Sequence, residues 1–317
     1  MLRGPRTVNI LDLGSWSVKL LRVEFKDNEI LNCEVFQNCH QPFVQPKLDF
    51  KKHYLDHLNS SLKYLQEISS VTGPVQVLLP ASVFTYKIDE KSPGHLCINL
   101  VEGIRDSINS ILEGHRIEAA FLGSGLAAEI EFLRQLPVKG ESLLLYSLNY
   151  SASFFVEISQ NHVKRFIQNN SIHGLLLDTI LDEHIAVDGC NNKLLGWKKD
   201  EIALLPIYRP IQNRLKTFDA IAPFINQVVR HLDECEDSST PSTVFLSGGT
   251  TQLRNLDSFL EGTRTNEYQS FCTSFFSKWL ENTSLGSDNL NGWASCFAHA
   301  ELWNKREQIN AKSNQKT

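Results

Sequence analysis

Asp12, Gly14, Ser15, Trp16, Ser17 and Lys19 fall close together in the stretch NILDLGSWSVKLLRVEF, residues 9–25. An apolar run ends at Asp12 and Gly14, passes through small and polar positions broken by Trp16, and resumes at once as a second run. A tight turn between two strands there presents successive backbone N–H groups of Gly14, Ser15 and Trp16 to an anion such as phosphate, with a hydroxyl from Ser15 or Ser17 beside them. Asp12, at the strand end, suits a water-mediated Mg²⁺ and is the one candidate metal ligand; Lys19 offers a cation to phosphates. A second stretch, VFLSGGTTQLRNLDSFL at residues 244–260, reads as strand, glycine pair and helix. Gly248 and Gly249 lack a Cβ, so the backbone there can approach a neighbouring group closely. Each stretch has a plain alternative, a hairpin for the first and a helix entry for the second, with nothing bound.

These residues need elements to hold them. TVNILDLG, VKLLRVEF and EILNCEVFQ are short apolar runs separated by turn signals at Gly14-Ser15 and Asp27-Asn28, and they predict a three-strand meander. A helix follows, with Tyr54, Leu55, Leu58, Leu62, Leu65 and Ile68 on one face. PVQVLLP predicts a buried strand. INLVEGIRDSINSIL predicts a helix with Leu100, Ile104, Ile108 and Leu112 in one stripe, IEAAFLG a strand, and GLAAEIEFLRQL a helix. The resulting order, βββαβαβα, implies a largely parallel sheet with helices on its faces and antiparallel pairs at one side. The second half begins the same way: ESLLLYSLN, SASFFVEIS and HVKRFIQNNS predict another meander, and GLLLDTILDEHI and FDAIAPFINQVVRHLDEC predict helices. Two meanders, each opening an α/β lobe, suggest related lobes facing a cleft.

Composition narrows the function. The 317 residues are 42% hydrophobic and 21% charged, with a formal net charge of −5. That balance offers no basic patch for nucleic acid and no polybasic stripe for lipid. Seven scattered cysteines without a CxxC pair suggest neither a disulfide framework nor a zinc site, and a reducing compartment fits. No stretch approaches the roughly 20 apolar residues that span a bilayer, so direct membrane insertion is not expected. The expected location is cytosolic unless a partner recruits the chain elsewhere.

The D-x-G-S-x-S-x-K pattern of Asp12–Lys19 resembles the first phosphate loop of the actin-like ATPase superfamily, in the form carried by the pilus assembly protein PilM and the division protein FtsA. VFLSGGTTQLRNLDSFL resembles the adenosine loop of the same proteins. The resemblance spans roughly residues 7–303. It implies a two-lobe actin-like (ribonuclease H-like) α/β fold with an interlobe nucleotide cleft. The first lobe is expected at 1–140, the second at 141–305, and a polar tail at 306–317. Bound ATP with Mg²⁺ would meet Asp12, Gly14, Ser15, Trp16, Ser17 and Lys19 on one side and Gly248 and Gly249 on the other. In the family a second Asp-x-Gly opens the second meander, but here Ser147 and Asn149 occupy those positions. A serine cannot carry the charge that helps hold Mg²⁺, and an asparagine adds a side chain where close approach is wanted. The expectation is a degenerate ATPase with weak or lost nucleotide binding.

A second departure concerns the extra subdomain that PilM and FtsA carry, which in PilM helps form the groove for the tail of its membrane partner PilN. Here only residues 81–97 stand in its place, enough for a strand and a loop. Val83, Phe84 and Tyr86 are either a residual tail-binding surface or an ordinary edge strand. His53 and His57 have helical i, i+4 spacing without the further ligands of a zinc hydrolase. LGSGLAAE, residues 122–129, reads as a helix entry. The final NKREQINAKSNQKT is polar and resembles a frayed end, not the membrane helix of FtsA. The expected function is a cytoplasmic PilM-like scaffold, docking to a PilN-like inner-membrane protein of a pilus or secretion machine. The cytoplasmic part of the secretion protein GspL is similar in shape, and homo-oligomers are compatible. The alternatives are an FtsA-like filament-forming ATPase of cell division and a small-molecule kinase of the same superfamily, which would need a carboxylate base and both metal-facing aspartates.

Overall fold

The computed structural model describes residues 4–15, 17–26, 29–39, 50–69, 71, 73–89, 94–137, 142–185, 212–236, 242–252, 256–263, 266–280, 283 and 291–313. The first meander forms as β1 (Arg6–Leu13), β2 (Ser17–Lys26) and β3 (Glu29–Cys39). After helix α1 (Phe50–Ile68), β4 (Val75–Leu79) adds parallel to β1, and β7 (Ala119–Ser124) adds parallel to β4. The sheet order is β3-β2-β1-β4-β7. The second half repeats the plan with β8 (Ser142–Leu148), β9 (Ser153–Ser159), β10 (His162–Asn169), β11 (Thr243–Ser247) and β12 (Glu267–Ser270), in the order β10-β9-β8-β11-β12. In both sheets the opening strand of the meander sits centrally and takes the next strand of the lobe as its parallel neighbour. Helices must therefore cover both faces.

The period-two alternation of each central strand assigns those faces. In β1, Leu11 and Leu13 point outward to α1 and to α2 (Ile104–Gly114), while Val8 and Ile10 point inward. In β8, Leu144, Tyr146 and Leu148 point outward to α4 (Gly174–Ile185), α5 (Gln212–Cys235) and α6 (Leu256–Thr263), while Leu145 points inward. The two inward faces share one apolar core with α3 (Gly125–Arg134), α7 (Phe271–Leu280) and α8 (Ala294–Ser313). Helix α3 leads from β7 of the first sheet to β8 of the second and packs closely along α8. Phe25 of β2 meets Trp279 of α7 edge-on at 5.9 Å, and Trp279 in turn packs on Phe297 of α8 at 5.0 Å.

Two expectations are corrected. Residues 98–100 do not begin a helix: Leu96, Cys97, Ile98, Asn99 and Leu100 alternate and form β6, paired with β5 (Phe84–Ile88) in a separate hairpin. The backbone then turns at Gly103, whose φ of +72° only glycine adopts freely, and the helix starts at Ile104. The strand, glycine pair and helix expected at 244–260 form as β11, a 3₁₀ turn over Gly249–Gln252 and α6 from Leu256. The polar C-terminal stretch continues α8 as far as Ser313 instead of fraying. The side chains of His53 and His57 lie outside the described residues.

The β5–β6 hairpin joins the lobes. Val83 and Phe84 are buried, and Tyr86 stacks on Phe166 of β10 at 5.0 Å while meeting Phe154 of β9 edge-on at 5.7 Å. The Tyr86 hydroxyl is 2.7 Å from Ser124 Oγ, and the Val163 amide donates to the Gly94 carbonyl at 3.1 Å. These side chains belong to the interior, so the edge-strand reading fits and a tail-binding surface at Val83, Phe84 and Tyr86 does not. Truncating Tyr86 to alanine should cost about 3–5 kcal/mol in chemical denaturation. Thr85→Ala, on the exposed face of the same strand, should stay within about 0.5 kcal/mol. Equal losses would rule out the interlobe contact as a source of stability.

Candidate functional site

The inward face of the first sheet turns polar at the end of β1. Asp12 follows Val8 and Ile10 in the alternation, and the antiparallel register places Lys19 of β2 directly opposite it. Lys19 Nζ donates to Asp12 Oδ2 at 2.8 Å, with both side chains only 11% exposed. Lys19 also lies 5.9 Å from the centre of the Trp293 ring. Leu13 is held from the other side, its carbonyl accepting from the buried Tyr54 hydroxyl at 2.7 Å. The turn is tight at Gly14, where a Cβ would come within 2.7 Å of the Ser17 carbonyl oxygen. Ser15 and Ser17 are buried. Trp16 lies outside the described residues.

The second loop meets the first. Ser15 Oγ lies 3.5 Å from Ser151 Oγ, so the hydroxyls of the two lobes face each other across the cleft. Ser147 sits on the inward face beyond Leu145, and its hydroxyl accepts from Asn149 Nδ2 at 2.9 Å. Asn149 is tied down further, its amide donating to Ala152 and its carbonyl accepting from Gly174. Gly248 packs on this same loop. With φ +89°, it stands where a Cβ would lie 2.5 Å from the Leu148 carbonyl oxygen and 2.9 Å from Asn149 Oδ1. Both the backbone conformation and the close approach therefore require glycine. At Gly249 the Cβ position is open. The structure thus gathers Asp12, Gly14, Ser15, Ser17, Lys19, Ser147, Asn149 and Gly248 at the ends of β1, β2, β8 and β11.

The sequence reading missed Glu129, which lies near the centre of this site. It projects from α3 and accepts hydrogen bonds from Ser247 Oγ at 2.6 Å and Ser295 Oγ at 2.5 Å. Ser247 immediately precedes the glycine pair, and Ser295 lies on α8, so one carboxyl links α3 and α8 to the end of β11. Burial pushes its pKa up to about 7, the two hydroxyls oppose that shift, the Asp12 charge adds to it and Lys19 offsets it. Cys272 and Cys296 are buried nearby, their thiols held well above the usual range by burial and by neighbouring negative charge. The signal for Glu129 was a carboxylate set in the apolar stripe of Leu126, Ile130 and Leu133, which only the packing makes meaningful.

No protein-family model matches the chain, and no curated protein matches it in sequence. Solved structures do match, and they define its class: the chain has the two-lobe fold of the actin-like ATPases. The PilM of a PilM–PilN type IV pilus biogenesis complex aligns over 94% of this chain and 98% of its own, at 12% identity and a TM-score of 0.59. The ethanolamine utilization protein EutJ from Carboxydothermus hydrogenoformans aligns over 85% and 86%, at 13% identity and a TM-score of 0.53. MreB 5 of Spiroplasma citri, bound to AMPPNP, aligns over 98% and 99%, at 11% identity and a TM-score of 0.53. At these identities the likeness is one of fold.

The residues present do not suit the divalent metal that such a fold implies. The carboxylate of Asp12 is taken up by Lys19, the opposite position is a serine, and among the described residues no three His, Cys, Asp or Glu side chains converge. For Glu129, the native carboxyl keeps its proton to about pH 7, whereas an ordinary one loses it near 4.5. Its contribution to stability is therefore fully present below about pH 4.5 and is lost as the pH rises through about 7. Between those limits, wild-type stability should fall relative to Glu129→Gln by about 3 kcal/mol, measured by denaturant titration at several pH values. A difference that stayed constant with pH would contradict the burial of an ionisable group here.

Proposed function

We propose that this chain is a non-catalytic actin-like scaffold of the PilM kind, which docks to a segment of a membrane-anchored assembly protein. The observation that carries this reading is the second loop. Where a metal-facing carboxylate and a glycine would stand, Ser147 and Asn149 bond to each other, and Ser151 closes on Ser15 of the facing loop. A cleft so arranged lacks the charge that holds Mg²⁺ and positions water for phosphoryl transfer. The shared interlobe core and the hairpin strut support a rigid platform more than a cycling motor. The structural neighbour named with its partner PilN supports the docking role. Among the described residues no helix is long and apolar enough to cross a membrane.

In this reading Gly14, Ser15, Trp16, Ser17 and Lys19 form a phosphate turn, and Gly248 and Gly249 form the nucleoside side. A nucleotide bound there shifts partner affinity only by its preference for one lobe arrangement over another. The docking surface must lie elsewhere than Val83, Phe84 and Tyr86, since those side chains are interior.

Two measurements test the proposal. ATP turnover should be undetectable, or far below the usual enzyme range of about 1–10³ per second. Steady Mg²⁺-dependent hydrolysis abolished by Asp12→Ala would overturn the non-catalytic assignment. The protein should pellet with membranes only in cells that contain the partner. Binding of the purified protein to protein-free liposomes, or full solubility with no membrane protein recovered by crosslinking, would overturn the docking assignment and favour a filament-forming or kinase role.

A further inference from the structure

We infer that Lys19 is the resident counter-ion of this cleft, occupying on Asp12 the place of a divalent cation, so that the phosphate turn takes a nucleoside polyphosphate without metal. The inference rests on the phosphate-turn reading above and adds the charge chemistry of the site.

The ion pair is built into the backbone. Asp12 and Lys19 are direct cross-strand partners in the β1–β2 register and share the inward face, so their side chains meet without any change of strand geometry. The 2.8 Å contact is largely out of water, and the Trp293 ring beside the ammonium favours a cation there. The field of Lys19 extends inward, where it opposes the upward pKa shifts of Glu129, Cys272 and Cys296. A divalent ion bound to Asp12 would have to displace this ammonium and then remain beside it in a poorly solvated space.

Among the described residues no other side chain offers Asp12 a second anionic oxygen. Ser147 stands where the second carboxylate would be, and its hydroxyl is engaged by Asn149. Glu129 faces Asp12 and Lys19 from α3 but is held by Ser247 and Ser295, and its burial favours the neutral acid. Mg²⁺ demands near-octahedral oxygen geometry and is usually held by one or two carboxylates together with waters and phosphates. A lysine binds phosphate as a point charge with no such demand. With Asp12 and Lys19 paired, however, the turn is close to neutral, and a polyphosphate gains little from it. The consequence is opposite to that of a metal-dependent cleft: neutralising Asp12 should strengthen nucleotide binding, because it releases Lys19 to the phosphates.

The test is calorimetric titration of the full chain with ATP, in excess Mg²⁺ and in EDTA, for wild type, Asp12→Asn and Lys19→Gln. Wild-type affinity should agree within about twofold between the two conditions. Asp12→Asn, which keeps the shape and one acceptor, should bind at least about tenfold tighter in EDTA, the size of one freed charge-assisted contact. Lys19→Gln should bind more weakly than wild type in both. A tenfold gain for wild type on adding Mg²⁺, or a loss of binding in Asp12→Asn, would overturn the inference while leaving the phosphate turn intact. Absence of binding in wild type and Asp12→Asn alike would overturn the phosphate turn itself. A parallel Mn²⁺ titration of wild type without nucleotide, followed by electron paramagnetic resonance, does not depend on the variants folding. No saturable site is expected, and a stoichiometric one would exclude Lys19 as the counter-ion.

Discussion

The structure depends on a single apolar core that passes through both lobes. Each central strand divides its side chains between an outer helical layer and this inner space, and the inner faces of the two sheets meet the same three helices. Phe25, Trp279 and Phe297 link the first sheet to α7 and α8, while Phe132 on α3 contacts Phe271 and Phe276 of α7. Separating the lobes would expose this aromatic surface to water, at a cost that scales with its area. Relative motion of the lobes is therefore confined to what the crossing helices allow, and everything at the ends of the central strands inherits their positions.

A polar centre sits at the end of that core. Asp12, Lys19, Ser147, Ser247, Ser295 and Glu129 are brought together because each occupies an inward-facing position on a strand or helix whose other inward residues are apolar. The dry surroundings decide their chemistry. The carboxyl of Glu129 is cheaper to keep protonated than charged, and Asp12 stays balanced by the cation opposite it. A buried acid with two hydroxyl donors joins α3, α8 and β11 in one hydrogen-bonded unit. Such a unit responds to protonation more readily than to a metal.

The β5–β6 hairpin closes the lobes from a different side. Its length is too small for an independent domain, and its apolar side chains have no core of their own. They are accommodated against β9 and β10, which makes the hairpin a strut.

Much of this was legible in the sequence. The period-two runs gave both meanders, the three-and-four spacing of Tyr54, Leu58, Leu62 and Leu65 gave α1, and the two glycine-bearing turns lay at the ends of the strands where the fold places them. Local spacing also showed that Ser147 and Asn149 break the pattern of the first loop, because a missing carboxylate is a fact of composition. Residues 98–100 were misassigned to a helix because a short apolar run satisfies either period until Gly103 is known to turn the chain. The importance of Glu129 was invisible, since a glutamate in a helix is ordinary until its neighbours remove the water. The burial of Tyr86 and the contact of Ser15 with Ser151 join residues distant in sequence, and no local periodicity encodes them. Spacing along the chain determined which side chains share a face. Only the packing of one sheet against the other, through helices common to both, decided which faces meet, and with that which charges lose their solvent.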